Sequence, residues 1–216
     1  MITKHIYNSH GYLTAIQDEN SQSYWQAGSL NARGQWEQFT LGNGLQTTKT
    51  YDTETGRLSR VQTGTVQDMA FSFDIIGNLI QRKDQQVNVN LQEDFTYDSL
   101  NRLTQSTVQG QAPITVSYDA LGNITEKSGV GTYIYGQNGA GPHAVTSIIG
   151  DKANTYSYDQ NGNRLTATGQ NIVYSSFNKP TEISEGDTVL RFAYSPEYAR
   201  YQQTVEKQGD IVEIKT

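Results

Sequence analysis

Five aspartates, Asp52, Asp74, Asp98, Asp119 and Asp159, each follow an aromatic residue (Tyr51, Phe73, Tyr97, Tyr118, Tyr158) in this chain of 216 residues. Carboxylates in regular arrays serve acid-base catalysis and calcium ladders, so these are the first residues to weigh as chemistry. The same position accepts Asn in Asn8, Asn31 and Asn178. An amide cannot do acid-base work, whereas both side chains cap a turn by accepting from backbone two residues on. Turn capping is therefore the reading that fits all of them. Calcium stays open as an alternative and would need Asp74, Asp98 and Asp119 to converge, although neighbouring hairpins in a sheet lie roughly 10 Å apart.

Other reactive residues form no constellation. His5, His10 and His143 are too few and too scattered for a zinc site, and the chain has no cysteine, which removes disulfides and thiolate ligands. No serine sits in a Gly-x-Ser-x-Gly elbow. The run Gly136–Gly141 lacks the Lys and following helix of a phosphate loop. No catalytic residue, metal or cofactor is assigned, and the chain reads as a non-enzyme. Trp36 falls on a packing position of the repeat, while Trp25 is off pattern and is the candidate ligand contact, for a sugar ring or a protein surface.

The elements that must position these residues come from a repeat. Its phrase opens at Tyr7, Leu30, Tyr51, Phe73, Tyr97, Tyr118, Tyr135, Tyr158, Phe177 and Tyr194, at spacings of 17 to 24 residues. The fifth position is Gly in Gly11, Gly34, Gly77, Gly122, Gly139 and Gly162, is displaced by an insertion at Gly56, and is Asn101 once. Asp or Asn opens a type I turn and the fifth residue takes the left-handed region, which leaves a hairpin with a bulge. Positions two and six then close the turn, and positions one and seven face each other: Tyr97 with Leu103, Phe73 with Leu79, Tyr118 with Ile124. Residues two before the aromatic (Phe71, Phe95, Val116, Tyr133, Tyr156, Phe192) share its face, because strand side chains have period two.

No segment carries sustained apolar residues at helical spacing. The expected fold is all-β: repetitive antiparallel hairpins forming a curved strip, one array of about ten units over residues 1–216. Leu, Ile, Val and Phe make up only about a fifth of the chain, a level at which conventional cores become thin. With 14 tyrosines the aromatic ladder is expected to supply the packing. A net charge of −6 without Lys or Arg clusters argues against nucleic acid, and the N-terminal residues show no apolar run for a signal peptide or membrane span.

The Tyr-Asp-x-x-Gly phrase, flanked by Gly-Arg-Leu or Gly-Asn-Leu, resembles the tyrosine-aspartate repeats of the rearrangement hotspot (Rhs) family. That family includes toxin-enclosing components of insecticidal toxin complexes and, more distantly, teneurins. The strings Leu41-Gly-Asn-Gly-Leu45, Gly129-Val-Gly-Thr-Tyr133 and Pro142-His-Ala-Val-Thr146 are similar to the region before the family's C-terminal core. The resemblance implies a scaffold: a bacterial, secreted or delivered shell that encloses or presents a C-terminal toxin. Its partners would be the rest of the shell and the cargo, or a second copy. The family's Asp-Pro motif is missing, since the prolines follow Ala112, Gly141, Lys179 and Ser195, so its self-cleavage is not carried over and a fragment of a longer shell is expected. The alternative is a recognition module that binds carbohydrate or protein through exposed aromatics.

Overall fold

The computed structural model describes residues 2–216, in two compact units, Met1–Pro113 and Ile114–Thr216. The first begins with β1 Lys4–Tyr7, β2 Leu13–Gln17, β3 Ser23–Ala27, β4 Gln38–Leu41 and β5 Gln46–Tyr51. It continues through β6 Leu58–Thr63, β7 Gln67–Phe73, β8 Leu79–Asp84, β9 Leu91–Tyr97 and β10 Leu103–Val108. Every strand pairs antiparallel with the next, so the unit is an uninterrupted meander.

The second unit holds β11 Ile114–Tyr118, β12 Ile124–Lys127, β13 Gly131–Tyr135, β14 Val145–Ile149 and β15 Asn154–Thr155, again paired in chain order. A second meander follows, with β16 Ser157–Tyr158, β17 Arg164–Ala167, β18 Gln170–Tyr174 and β19 Pro180–Glu185. It ends in β20 Thr188–Tyr194, β21 Arg200–Lys207 and β22 Asp210–Lys215. The chain is all-β and built of antiparallel hairpins, as the repeat requires. Among the described residues the one helical element is a single 3-10 turn at Gln137–Gly139, and no helix is long and apolar enough to cross a membrane.

The register follows from the turn. Tyr97 faces Leu103, Phe73 faces Leu79 and Tyr118 faces Ile124, with a register shift beside each pair. That shift is the bulge left when the fifth residue turns left-handed. Across unit 1 the pairing puts Lys49, Val61, Met69 and Asp84 in one row and Thr50, Arg60, Ala70 and Lys83 in the next, on opposite faces.

Burial is shallow. Ala15 at 7% and Ile172 at 8% are the buried apolar residues among those described, and no large side chain is fully covered. The accessible surface is 14188 Å² at 24.0 kDa, against roughly 9,900 Å² for a compact monomer of that mass. Half-buried contacts between neighbouring strands, rather than a deep core, hold the chain together.

Two repeats differ from the sequence expectation. The ninth opens at Tyr174, not Phe177: Tyr174 faces Pro180, Ser175 N–H donates to the Lys179 carbonyl at 2.8 Å, and Asn178 takes the fifth position with φ 59°. The pair Phe177-Asn178 imitates an aromatic-Asn opening, but serine caps a turn by the same bond, and Asn tolerates the left-handed region the fifth place demands. The seventh repeat does not close after five residues. Gly136 N–H donates to the Ala144 carbonyl at 3.1 Å, so the loop spans the 3-10 turn, and Gly139 is not its closing residue.

Candidate functional site

Each repeat aspartate is spent on its own turn. Asp98 Oδ1 accepts from the backbone N–H of Leu100 at 2.9 Å and Arg102 at 3.0 Å, while Oδ2 accepts from Arg102 Nε at 2.7 Å. Asp74 Oδ1 accepts from the N–H groups of Ile76, Gly77 and Asn78, with Asn78 Nδ2 on Oδ2 at 2.9 Å. Asp119 and Asp159 repeat this with Asn123 and Asn163, both through side-chain Nδ2 on Oδ2. Asp52, in the turn with an inserted residue, instead takes Thr55 N–H at 2.7 Å and Thr55 Oγ1 at 2.6 Å. The fifth residues Gly77, Gly122 and Gly162, with Gly56 in the longer turn and Asn101, all have positive φ.

The hydrogen bonds hold all five carboxyls below the ordinary carboxylate value. The Thr55 hydroxyl dominates at Asp52, the Arg102 amide at Asp98 and the Asn163 side chain at Asp159. At Asp74 and Asp119 partial desolvation pushes upward, and the combined bonds, those of Asn78 and Asn123 foremost, outweigh it. A carboxylate saturated with donors and held ionised is a poor proton shuttle. Among the described residues no group of three or more His, Asp or Glu is placed to hold a metal ion.

What the repeats share beyond the turn is a joint to the preceding hairpin. The aromatic at position one reaches back to the position-seven carbonyl: Tyr51 hydroxyl donates to Trp36 O at 3.0 Å and Tyr97 to Leu79 O at 2.8 Å. In the second unit Tyr135 donates to Ile124 O at 2.8 Å, Tyr158 to Val145 O at 2.7 Å and Tyr194 to Pro180 O at 2.8 Å. Burial raises the phenol pKa of Tyr51, Tyr97, Tyr135 and Tyr158, which keeps the donor proton in place.

Position six reaches forward. Gln35 Nε2 donates to Gly56 O at 2.9 Å, Arg57 Nη1 to Asp74 O at 2.9 Å and Asn78 Nδ2 to Asn101 Oδ1 at 3.1 Å. Asn123 Nδ2 meets Pro142 O at 3.1 Å, with His143 Nδ1 2.7 Å from Asn123 Oδ1, and Asn163 Nδ2 meets Asn178 Oδ1 at 2.8 Å. At Gln35, Asn78, Asn123 and Asn163 one side chain thus clamps its own turn and binds the next, whereas the Arg57 side chain binds the next turn while Thr55 clamps its own.

Trp25 lies half-buried in a cluster, edge-on to Trp36 with ring centroids 5.1 Å apart and tilted against Phe39 at 5.8 Å. The packing reading suits it as well as Trp36. His5 stands on β1 opposite Ile16, His10 in the first turn, and His143 at the Asn123 contact.

With this geometry in hand, known proteins give a consistent answer. Neither a protein-family model nor a curated protein matches the chain. Solved structures do. A TcdB2-TccC3-Cdc42 crystal structure superposes with a TM-score of 0.71 at 18% identity, over 96% of this chain and 12% of the other. The fold is that of toxin-complex chains. A TcdB2-TccC3 crystal structure gives 0.70 at 17% identity, over 95% and 13%. The Photorhabdus luminescens Tc holotoxin pore gives 0.64 at 18%, again over 95% and 13%. The chain spans about an eighth of the length of these structures. At the level of fold they support the Rhs-type shell resemblance, and they lend no support to carbohydrate binding.

Neither the hydroxyl latch nor the sixth-position bridge was read from the sequence. The signals existed: Tyr is commoner than Phe at position one, and position six holds Gln35, Arg57, Asn78, Arg102, Asn123 and Asn163, all long or amide donors.

Proposed function

We propose that this chain is a stretch of Rhs-type shell wall, a non-enzymatic scaffold that encloses or presents a C-terminal toxin polypeptide. Its partners are the remaining shell repeats and the cargo. The observation that carries this is the double coupling of hairpin to hairpin, phenol backward and sixth residue forward. Such coupling makes a wall whose units depend on their neighbours, as repeat arrays do. The donor-saturated aspartates and the likeness to toxin-complex folds support it.

Protease protection tests the proposal. The full product of the gene carrying this segment is digested under native conditions and mapped by mass spectrometry. A shell wall leaves residues 2–216 and an enclosed C-terminal polypeptide resistant together, until denaturant opens both. A C-terminal polypeptide digested at once while the repeats stay intact overturns enclosure. A hydrolytic activity lost in Asp98→Asn protein of unchanged circular dichroism overturns the non-enzymatic role.

A further inference from the structure

The joints between hairpins are unequal, and in unit 1 the two repeats that open on Leu30 and Phe73 have no phenol to serve as a latch; of these two, the Phe73 joint is the one with a groove. Phe73 stands opposite Leu79 as Tyr97 stands opposite Leu103, so it occupies the place from which Tyr97 reaches back to Leu79 O. A phenyl ring carries no donor, and among the described residues no phenol donates to the Leu58 carbonyl of the preceding repeat. At this joint lies a groove of about 310 Å³ lined by Thr55, Arg57, Ser59, Phe71 and Phe73. Arg57 spans it, donating from Nη1 to Asp74 O at 2.9 Å and from Nη2 to Ile75 O at 3.5 Å.

The other end of the same joint is fastened. Arg60 grips Asp68 through two bonds, Nε to Oδ1 at 2.8 Å and Nη2 to Oδ2 at 2.7 Å, and Gln62 Nε2 adds a contact to Oδ2 at 3.3 Å. Four residue pairs, from Arg60 with Ala70 to Thr63 with Gln67, lie at that end. A two-ended joint fixed on one side and bridged by a single arginine on the other opens as a wedge.

We propose that the β6–β7 joint is a hinge built into unit 1, anchored at Arg60–Asp68 and closed at the Phe73 end by Arg57 as a strap. A phenol latch is shielded by the ring that carries it, whereas the Arg57 guanidinium crosses a groove with room for water, which competes for its bonds. The neighbouring β8–β9 joint, closed by Tyr97, is the internal reference. This inference holds whether or not the chain forms a shell wall.

Native-state hydrogen exchange on the whole chain tests it, read by mass spectrometry with fragmentation to single amides. In the wild type, the Phe71 amide, which faces β6 next to the Arg60–Ala70 pair, exchanges about tenfold faster than its counterpart Phe95 next to the Gln81–Asp94 pair, the ratio for loss of one latch worth about 1.4 kcal/mol. Phe73→Tyr restores the missing donor and removes most of that ratio. Arg57→Ala speeds exchange at the β6–β7 joint several-fold and leaves β8–β9 unchanged. Equal exchange at the two joints in the wild type overturns the hinge. So does an Arg57→Ala effect spread evenly over both joints, or Phe73→Tyr protein that folds and keeps the original ratio.

Discussion

Two kinds of turn alternate along each unit, and their difference locates what makes the repeat. At the repeat turns, such as Asp98–Arg102 and Asp159–Asn163, a capped bend is tied to the adjoining hairpins by a position-one phenol or a position-six donor. The connections between repeats lack those ties. Asp18 caps such a connection in the same manner, accepting from Asn20 and Gln22 N–H at 2.8 Å with Ser21 at φ 69°, yet Gln17 precedes it where a repeat has its aromatic. Capping alone therefore does not define the unit; a cap combined with the position-one phenol or the position-six donor does. The connections are held in other ways: Gln86 donates to the Val66 carbonyl, Asn154 Oδ1 accepts from Thr168 N–H, and at Lys127–Gly131 the backbones approach closely, Gly131 and Gly150 letting β13 and β14 nearly touch.

The largest expected effect breaks a connection rather than a repeat turn. A Cβ on Gly131 would sit 2.1 Å from the Ile149 carbonyl oxygen, with φ already at +126°, so both strands must move. Gly131→Ala is expected to cost about 3 kcal/mol or more, from strain and clash together. Gly122, at φ +89° with nothing within 4 Å of its Cβ, offers the contrast at a repeat turn. There the penalty is dihedral alone, and Gly122→Val should cost about 2 kcal/mol, a β-branched residue being strained at positive φ. Asn101→Gly should stay within about 0.5 kcal/mol, because glycine relaxes the same φ while losing the exposed contact from Asn78. Urea denaturation of the three variants orders them, and Gly131→Ala milder than Gly122→Val would invert the comparison.

The same contrast explains what was legible. The repeat turns could be read because aspartate, an aromatic and a left-handed residue are each demanded by local geometry, as Tyr97, Asp98 and Asn101 show. Fold class and the Tyr97–Leu103 register followed from them. Local grammar is degenerate, however, and Ser175 with Asn178 satisfies the turn as well as Asp with Gly, which is why the sequence pattern places the ninth repeat three residues too late. The latches were hidden for another reason. Tyr97 and Leu79 are 18 residues apart in the chain, and nothing in a phrase of seven residues reports which carbonyl a hydroxyl will meet. The Gly131–Gly150 approach is non-local in the same way.

Of intermediate size is the loss of one latch. Tyr97→Phe keeps the ring and removes the donor to Leu79 O, at an expected cost of about 1.4 kcal/mol. The change makes the β8–β9 joint resemble the Phe73 joint, so Phe73→Tyr with Tyr97→Phe should exchange their roles. Thermal melting should show the double variant near the wild type. A Tyr97→Phe protein as stable as the wild type would mean the phenol bond is matched by water and the coupling argument rests on position six alone.

The smallest effect per residue, and the most distributed, is electrostatic. Asp52, Asp74, Asp98, Asp119 and Asp159 all lie below the ordinary value of 3.8 when folded. Because the unfolded carboxyls bind protons first as pH falls, their stabilisation is fully present above the unfolded value and is lost as pH drops through the folded values. The urea midpoint should be flat from pH 7 to about 5 and then fall steadily below about 3.8. Asp159→Asn retains an oxygen for the Asn161 and Asn163 amides while removing one titrating group. At pH 7 it should lower the midpoint, because the acceptor for Asn163 Nδ2 is lost, and its acid limb should be shallower than that of the wild type, the two converging at low pH. Circular dichroism across the pH series decides this, and an unchanged acid limb would mean the caps act through geometry with no contribution from charge.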